Sequence, residues 1–460
     1  MEKIAIIGAG FSGIATANLL RQEFKDAEIT IFEATDRIGG LIHTTIQDGI
    51  VMEWGPEAFM TSKTSVRDFV EKTNLREKLV PATKQVKRRY MVHKGKVKAL
   101  PGGPISGLTT SLIPFKTKIG VIREPFVKPN RDGEESFSSF INRRLGKGLD
   151  PIIDAFVSGV YGGDHTKLSV NYAFPTFKNA ELMYGSIIKG FFKGPRDQKK
   201  MMKKQGIPIE KKKKSDLAYL STFPGGLTDA VNYLAEGLTI KTSTPVQGII
   251  KKNGSGYTVK TTSGSYDADK VIFAGPPNAY LKIDTSTLKT NVSQFKPIDE
   301  AVVNVVSLIY DDSQFKKELE GYGFLSPSKE DTFSLGILFV SDIFPEHAPE
   351  GKKLLRCFIG GIRYPEKAKL PDEELVAGAK ADVKKLLHVE GEPEKTFVAR
   401  NRGLPQINLG HKSVVDYKNN IEKENEGVFI TGVGWTGIST EHLMVQADKI
   451  LNKMKMQKNQ

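Results

Sequence analysis

The opening stretch KIAIIGAGFSG, residues 3 to 13, constrains this chain more than any other. KIAII reads as a short buried strand, and the glycines that follow turn it into a helix running through Phe24 with Ile14, Ala17, Leu19 and Leu20 inward. EITIF, residues 28 to 32, has the β-branched pattern of a second parallel strand and ends at Glu33. The three elements make a βαβ-type, Rossmann-like unit. In such a unit Gly8 permits the tight turn, Gly10 lets the backbone approach a pyrophosphate and Gly13 lets helix and strand pack closely. The helix N-terminus offers unsatisfied N–H groups and partial positive charge to phosphates. Glu33, about twenty residues on, is placed to accept hydrogen bonds from a ribose.

The residues after Glu33 distinguish NAD from FAD. They read EATDRIGGLIHT, with Arg37, Gly39 and Gly40 where an NAD domain would continue into a plain helix. A second glycine pair beside an arginine suits a longer dinucleotide that runs on into the protein. Gly55-Pro56-Glu57 adds another close-approach turn. Far along the chain, Gly432 to Ser439 leads a glycine-rich turn into a helix start, which can stabilise negative charge on a reduced isoalloxazine. The expected FAD contacts are Gly8, Ala9, Gly10, Phe11, Ser12, Gly13, Glu33, Ala34, Arg37, Gly39, Gly40, Leu41, Trp54, Gly55, Pro56 and Glu57. Gly432, which opens that turn, completes the set at the flavin end.

With 460 residues the chain exceeds one ordinary core, so two or three lobes are expected. Its 39% apolar and 26% charged residues fit a folded protein. Cys357, the only cysteine, reads as a small buried apolar residue and excludes an intramolecular disulfide or CxxC site. The seven histidines lack metal or triad spacing, and neither a GxSxG elbow nor a P-loop is present, so no metal and no catalytic base are expected. Hydride transfer to a flavin relies on cofactor and positioning instead. A cytoplasmic protein is expected, because no export signal precedes the first strand and no apolar run of about 18 residues occurs.

The formal charge of +14 concentrates between Lys189 and Lys214, including the run Lys211 to Lys214. A block of like charge is ordinarily a solvated loop. Ile187, Ile188, Phe191, Phe192, Met201 and Met202 beside it make an anionic membrane surface the alternative partner; no nucleic-acid-reading motif appears. Residues 96–214 read as a helical lobe with this basic loop, with helical patterns from Ser136 to Tyr161. Residues 296–399 read as a second sheet, with one helix near Asp372 to Leu387. Residues 1–95, 215–295 and 400–460 remain for a discontinuous FAD domain, giving an α/β (α+β overall) protein.

GAGFSG with EATDRIGG resembles the superfamily of amine oxidases, phytoene desaturases and protoporphyrinogen oxidases. VSGVYGGDHTKLS (157 to 169), STFPGGL (221 to 227), GYGFLSP (321 to 327), LGILFVSDIFPEHAPEG (335 to 351) and PQINLGH (405 to 411) are similar to the protoporphyrinogen oxidase family, in the family's order along nearly the whole chain. The resemblance implies FAD-dependent oxidation of a porphyrinogen in three two-electron steps, with O2 reoxidising the flavin to give H2O2. It implies that Arg89 pairs with a substrate propionate and Gly159 meets a pyrrole N–H with its backbone. Leu325 and Phe339 would sandwich the macrocycle, Val246 would contact the adenine side, and Gly437, Ile438 and Ser439 would contact the flavin. Coproporphyrinogen III is the rival substrate, an amine oxidase or carotenoid desaturase a more distant reading, and a non-catalytic flavin or porphyrin carrier the reading outside enzymes. A homodimer is admissible. Two stretches depart from the family: GVGWTGISTEHLM replaces its Asn and Asp-Cys-Ile run, and Ile407 replaces its aromatic after Pro-Gln.

Overall fold

The structure, a computed structural model, describes residues 1–204, 217–290, 295–317 and 320–458. Lys3–Ile7 and Glu28–Phe32 are parallel neighbours, registered from Lys3↔Glu28 to Ile7↔Phe32, with the helix Phe11–Glu23 crossing between them. Lys270–Phe273 pairs with the other side of the first strand, and Val428–Ile430 lies beyond it. Thr239–Lys241 completes a five-stranded parallel sheet outside Glu28–Phe32. Both faces are covered at its middle, which is why Ile4–Ile7, Val271–Phe273 and Val428–Ile430 are apolar without alternation. Ile4 and Ile6 pack with Ile14, Ala17, Leu20, Met444 and Ala447 on one face. Ala5 and Ile7 pack with Phe273, Tyr280, Tyr417 and Trp435 on the other.

The second sheet has seven strands. In spatial order they are Lys395–Ala399, Val303–Asp311, Lys352–Gly360, Gly336–Phe339, Gly323–Leu325, Tyr90–His93 and Lys96–Ala99. The last two correct the expected boundary. Residues 90–99 form an edge hairpin of this sheet instead of dividing between the FAD domain and the helical lobe. Their pairing with a strand more than two hundred residues away leaves no local mark in the sequence. The helix Asp372–Leu387 covers the outer face through Leu375, Ala379 and Val383, and Cys357 is buried there with them.

The third body is helical. Phe115–Arg123, Phe137–Leu145, Asp150–Tyr161, Pro175–Tyr184 and Ile187–Lys204 are its longer helices. Phe137, Phe140, Ile153, Val157 and Phe174 form its core, and Ile407 packs among them. The run Lys211 to Lys214 lies outside the described residues. No described helix is long and apolar enough to cross a membrane.

Candidate functional site: a dinucleotide cradle facing a sheet

The glycine turn has the local geometry its spacing requires. Gly8 adopts φ +108°, and a Cβ on Gly13 would lie 2.0 Å from the Gly8 carbonyl oxygen, so no larger residue fits. No side chain caps the helix Phe11–Glu23 at Gly10, so its first N–H groups remain available to a phosphate. Glu33 is held as an acceptor: Oε2 takes the Ala9 N–H at 2.8 Å, and Oε1 takes the Thr35 N–H and hydroxyl. Gly39 and Gly40 cross directly over Gly10, with the Gly39 N–H donating to the Ala9 carbonyl. Ala34 follows Glu33 in the same turn, and the Thr244 N–H donates to the Glu33 carbonyl, which brings Val246 to the end where an adenosine would lie.

A cavity of about 220 Å³ continues from this crossing, lined by Arg37, Gly40, Leu41, His43, Trp54, Arg400, Asn401 and Arg402. Arg37 donates to the Ile38 and Gly40 carbonyls and so fixes the turn. Burial, and next the charge of Arg402, hold its guanidinium below the ordinary arginine value. Two like charges meeting beside a cavity are the arrangement an anionic group relieves. Free helix N–H groups and the glycine cradle meet this cationic cavity at Gly40, which lies against Gly10 and also lines the cavity, so the residues present fit FAD.

At the far end, Gly432 and Gly434 take positive φ and the Gly434 N–H donates to the Gly437 carbonyl, closing the turn before Thr440–Lys458. Trp435 is fully buried: its indole N–H donates to the Gly275 carbonyl and its ring packs on Phe273, Tyr280 and Phe295. It therefore anchors the turn from behind. The His442 ring lies against Gly437, where a Cβ would come within 2.4 Å of it, and its Nδ1 is 3.0 Å from the Ser439 hydroxyl. Ile438 packs toward the helical lobe.

Strand register sorts the expected substrate residues. Pairings Leu325↔Met91, Leu325↔Gly336 and Gly336↔Phe358 put these four side-chain positions on one face of the seven-stranded sheet, and Leu338↔Arg356 continues it. Arg89, two residues before Met91, belongs to the same face. This inner face meets the FAD domain, since Arg356 pairs with Glu57 and donates to the Gly55 carbonyl. Leu325 lies directly against Gly159, whose Cβ would be 2.4 Å from Leu325 Cδ2. Arg89 is exposed, with its guanidinium 5.7 Å and 5.2 Å from the rings of Tyr219 and Tyr322. Phe339 is placed elsewhere. It lies on the outer face, in the core with Phe324, Leu355 and Ala379, and the strand's period of two separates it from Leu325. Its neighbour Leu338 holds the inner position, packed with Ile50 and Met52.

Several residues near the site went unread in the sequence. Glu53 is buried just before Trp54; its carboxylate oxygens accept from the Leu227 N–H and the Thr44 hydroxyl. Burial, then the negative charge of Glu57, push its pKa up to about 8. Arg356 and His347 are fully buried beside Glu57. Burial pushes the Tyr322 phenol up to about 12; Glu57 adds to that shift, while Arg89 and Arg356 oppose it. Charged residues inside apolar strand text, such as Arg356 in LLRCFIGG, were the one available signal.

Comparison with known proteins gives one consistent picture. The family model described as flavin containing amine oxidoreductase matches residues 11–402. The mitochondrial protoporphyrinogen oxidase of Nicotiana tabacum is 31% identical over 469 residues, 95% of this chain and 92% of that protein. The coproporphyrinogen III oxidase of Staphylococcus aureus is 29% identical over 463 residues, 97% of each. Among solved structures, one from Exiguobacterium sp. 255-15, provisionally assigned as a protoporphyrinogen oxidase, superposes with a TM-score of 0.79 at 21% identity over 99% of both chains.

Proposed function

The chain belongs to the flavin-containing amine oxidoreductases, and within that family we propose that it dehydrogenates a porphyrinogen, with protoporphyrinogen IX as substrate and O2 as electron acceptor. FAD, held by Gly8 to Gly13, Glu33 and the turn from Gly432 to Ser439, supplies hydride acceptance, which no side chain of the chain provides. The protein's own part is to hold a flat apolar ring against that cofactor and to keep water away.

The observation that carries the reading is Arg89. Among the described residues it meets no carboxylate, and it stands over two tyrosine rings on the sheet face turned toward the FAD domain. A propionate at the rim of a tetrapyrrole would end there, and a guanidinium matches a carboxylate in two parallel hydrogen bonds. Leu325 on Gly159 supplies the apolar contact beside it. The full-length likeness to porphyrinogen oxidases supports the same assignment. Coproporphyrinogen III is the second reading, favoured by the staphylococcal relative. FAD-loaded protein incubated in air with each porphyrinogen separates the two: the true substrate gives porphyrin fluorescence and H2O2. Fluorescence no faster than autoxidation with both would reject the reading.

We further propose that the helical lobe rests on an anionic membrane surface. Phe115, Ile119 and Ile122 form a stripe at helical spacing that faces solvent, and Phe126 is 88% exposed. Phe191, Phe192 and Met201 are exposed on Ile187–Lys204. The two patches adjoin where Lys189 donates to the Pro125 carbonyl and lies over the Phe126 ring. Lys116, Arg123, Lys193 and Arg196 supply the cationic partner to anionic headgroups.

A further inference from the structure

Arg89 has a second cation beside it at its corner of the inner sheet face. The strand Lys96–Ala99 ends the seven-stranded sheet there and pairs antiparallel with Tyr90–His93, in the register Tyr90↔Ala99 and Met91↔Lys98. One step back, the Leu100 N–H donates to the Arg89 carbonyl, so Leu100 stands opposite Arg89. Met91 looks inward, packed with Leu112, Ala155 and Leu325, and Lys98 opposite it therefore looks inward too. The next pair, Val92 and Val97, turns outward into the core under Asp372–Leu387. Arg89 and Lys98 are thus diagonal neighbours on one face, about 7–8 Å apart at the backbone and within reach of one another's long side chains.

Neither charge is answered by the protein. Arg89 is exposed and Lys98 half-buried, and among the described residues neither meets a carboxylate. Glu330, the acid docked on this hairpin, accepts the Lys94 and Gly95 N–H groups instead. Glu320 is taken by Arg88. Leu100, half-buried beside both cations, gives the ground between them an apolar floor continuous with Met91 and Leu325. Two like charges held side by side repel, and a ligand that brings two carboxylates removes that repulsion.

We infer that Arg89 and Lys98 form a twin carboxylate clamp, in which Lys98 takes the second propionate of the porphyrinogen whose first is paired with Arg89. The inference rests on the porphyrinogen reading. In protoporphyrinogen IX the two propionates stand on adjacent pyrroles and flank one meso carbon, so their carboxylates leave the ring side by side. Neighbouring cations suit that pattern, and cations at opposite rims would not. The row Lys98, Met91, Leu325, Gly336 runs inward from the sheet edge, which puts Lys98 two strand spacings, about 10 Å, from Leu325. The body of the ring then rests on Leu325 and Gly159 while its acid edge lies at the rim, where both cations keep contact with water. Tyr219 and Tyr322 flank the guanidinium of Arg89. Anchoring two arms instead of one stops the ring from turning about a single pinned propionate, and so fixes one orientation toward the flavin.

The test measures binding apart from turnover. FAD-loaded protein is titrated with protoporphyrin IX, its monomethyl ester and its dimethyl ester, followed by quenching of porphyrin fluorescence. Lys98→Gln, which removes the charge and keeps most of the stem, is expected to raise the Kd of the diacid about tenfold, the loss of one charge-assisted bond. Lys98→Arg should stay within about threefold of the wild type. With the monomethyl ester, whose one carboxylate Arg89 retains, Lys98→Gln should change Kd by less than about threefold, and with the dimethyl ester not at all. Arg89→Ala combined with Lys98→Gln should weaken the diacid about a hundredfold. A lysine that only guards the sheet edge against pairing would change Tm or solubility and leave the gap between diacid and diester as it was. Equal affinity of wild type and Lys98→Gln for the diacid overturns the clamp and leaves the porphyrinogen reading standing. A wild type that binds none of the three porphyrins and is bleached by neither porphyrinogen overturns that reading itself.

Discussion

Gly13 illustrates how far single residues decide the cofactor site. With 2.0 Å between a built Cβ and the Gly8 carbonyl oxygen, Gly13→Ala must push the helix from the strand and carry the phosphate-facing N–H groups with it. Purified Gly13→Ala is expected to retain little or no FAD, read directly from its visible absorbance. Arg89 decides substrate affinity instead. Loss of a charge-assisted bond costs about 1.5–3 kcal/mol, so Arg89→Ala should raise KM roughly tenfold or more with FAD content unchanged; an unchanged KM would remove it from the substrate site. Glu53 makes a pH prediction. Its carboxyl is neutral in the folded protein up to about 8 and titrates at about 4.5 when unfolded. Its contribution is therefore fully present below pH 4.5 and lost as pH rises toward 8. Glu53→Gln should match the wild-type Tm near pH 4.5 and exceed it increasingly up to pH 8. The glycines and Glu33 were legible because their constraint is local. Glu53, Arg356 and His347 were not, because their significance lies in partners up to three hundred residues away.

At the level of elements, alternation along strands explains both what the sequence conveyed and what it concealed. Apolar runs marked the strands Val303–Asp311, Gly336–Phe339 and Lys352–Gly360 correctly. They could not tell which face each residue takes, since both faces of this sheet are covered, and Phe339 accordingly turned outward. The helical lobe depends on a buried ionic network. Glu124 accepts from Arg144 and from the Ile187 and Ile188 N–H groups, so it caps Ile187–Lys204 while binding Phe137–Leu145. Glu181 joins Arg143, Arg144 and Lys178. Breaking a buried pair of this kind costs about 3–5 kcal/mol. Glu124→Gln should therefore lower Tm markedly and expose the segment near Ile187 to proteolysis. Hydrogen bonds from Ser186, Arg144 and Ile187 outweigh burial and hold the Glu124 carboxyl below its ordinary 4.5. Its stabilising contribution is present above pH 4.5 and is lost on further acidification.

At the scale of the molecule, the parallel sheet gathers strands from the start, middle and end of the chain, and the substrate sheet and helical lobe occupy the intervals. Motif order along the sequence led to the expectation of alternating bodies, and nothing local in it marks their seams. The exposed Phe126 and Phe192 should act together at a lipid interface. Phe126→Glu with Phe192→Glu should weaken sedimentation with phosphatidylserine vesicles several-fold without changing FAD content; equal sedimentation would reject the membrane contact. The central claim is that the inner sheet face presents a porphyrinogen to the flavin. Anaerobic mixing of the FAD-loaded protein with protoporphyrinogen IX or coproporphyrinogen III tests it most directly, followed at the flavin's visible band. Rapid bleaching with one of them, restored on admitting O2 with release of H2O2, is the predicted result. A yellow protein that neither porphyrinogen bleaches would contradict it.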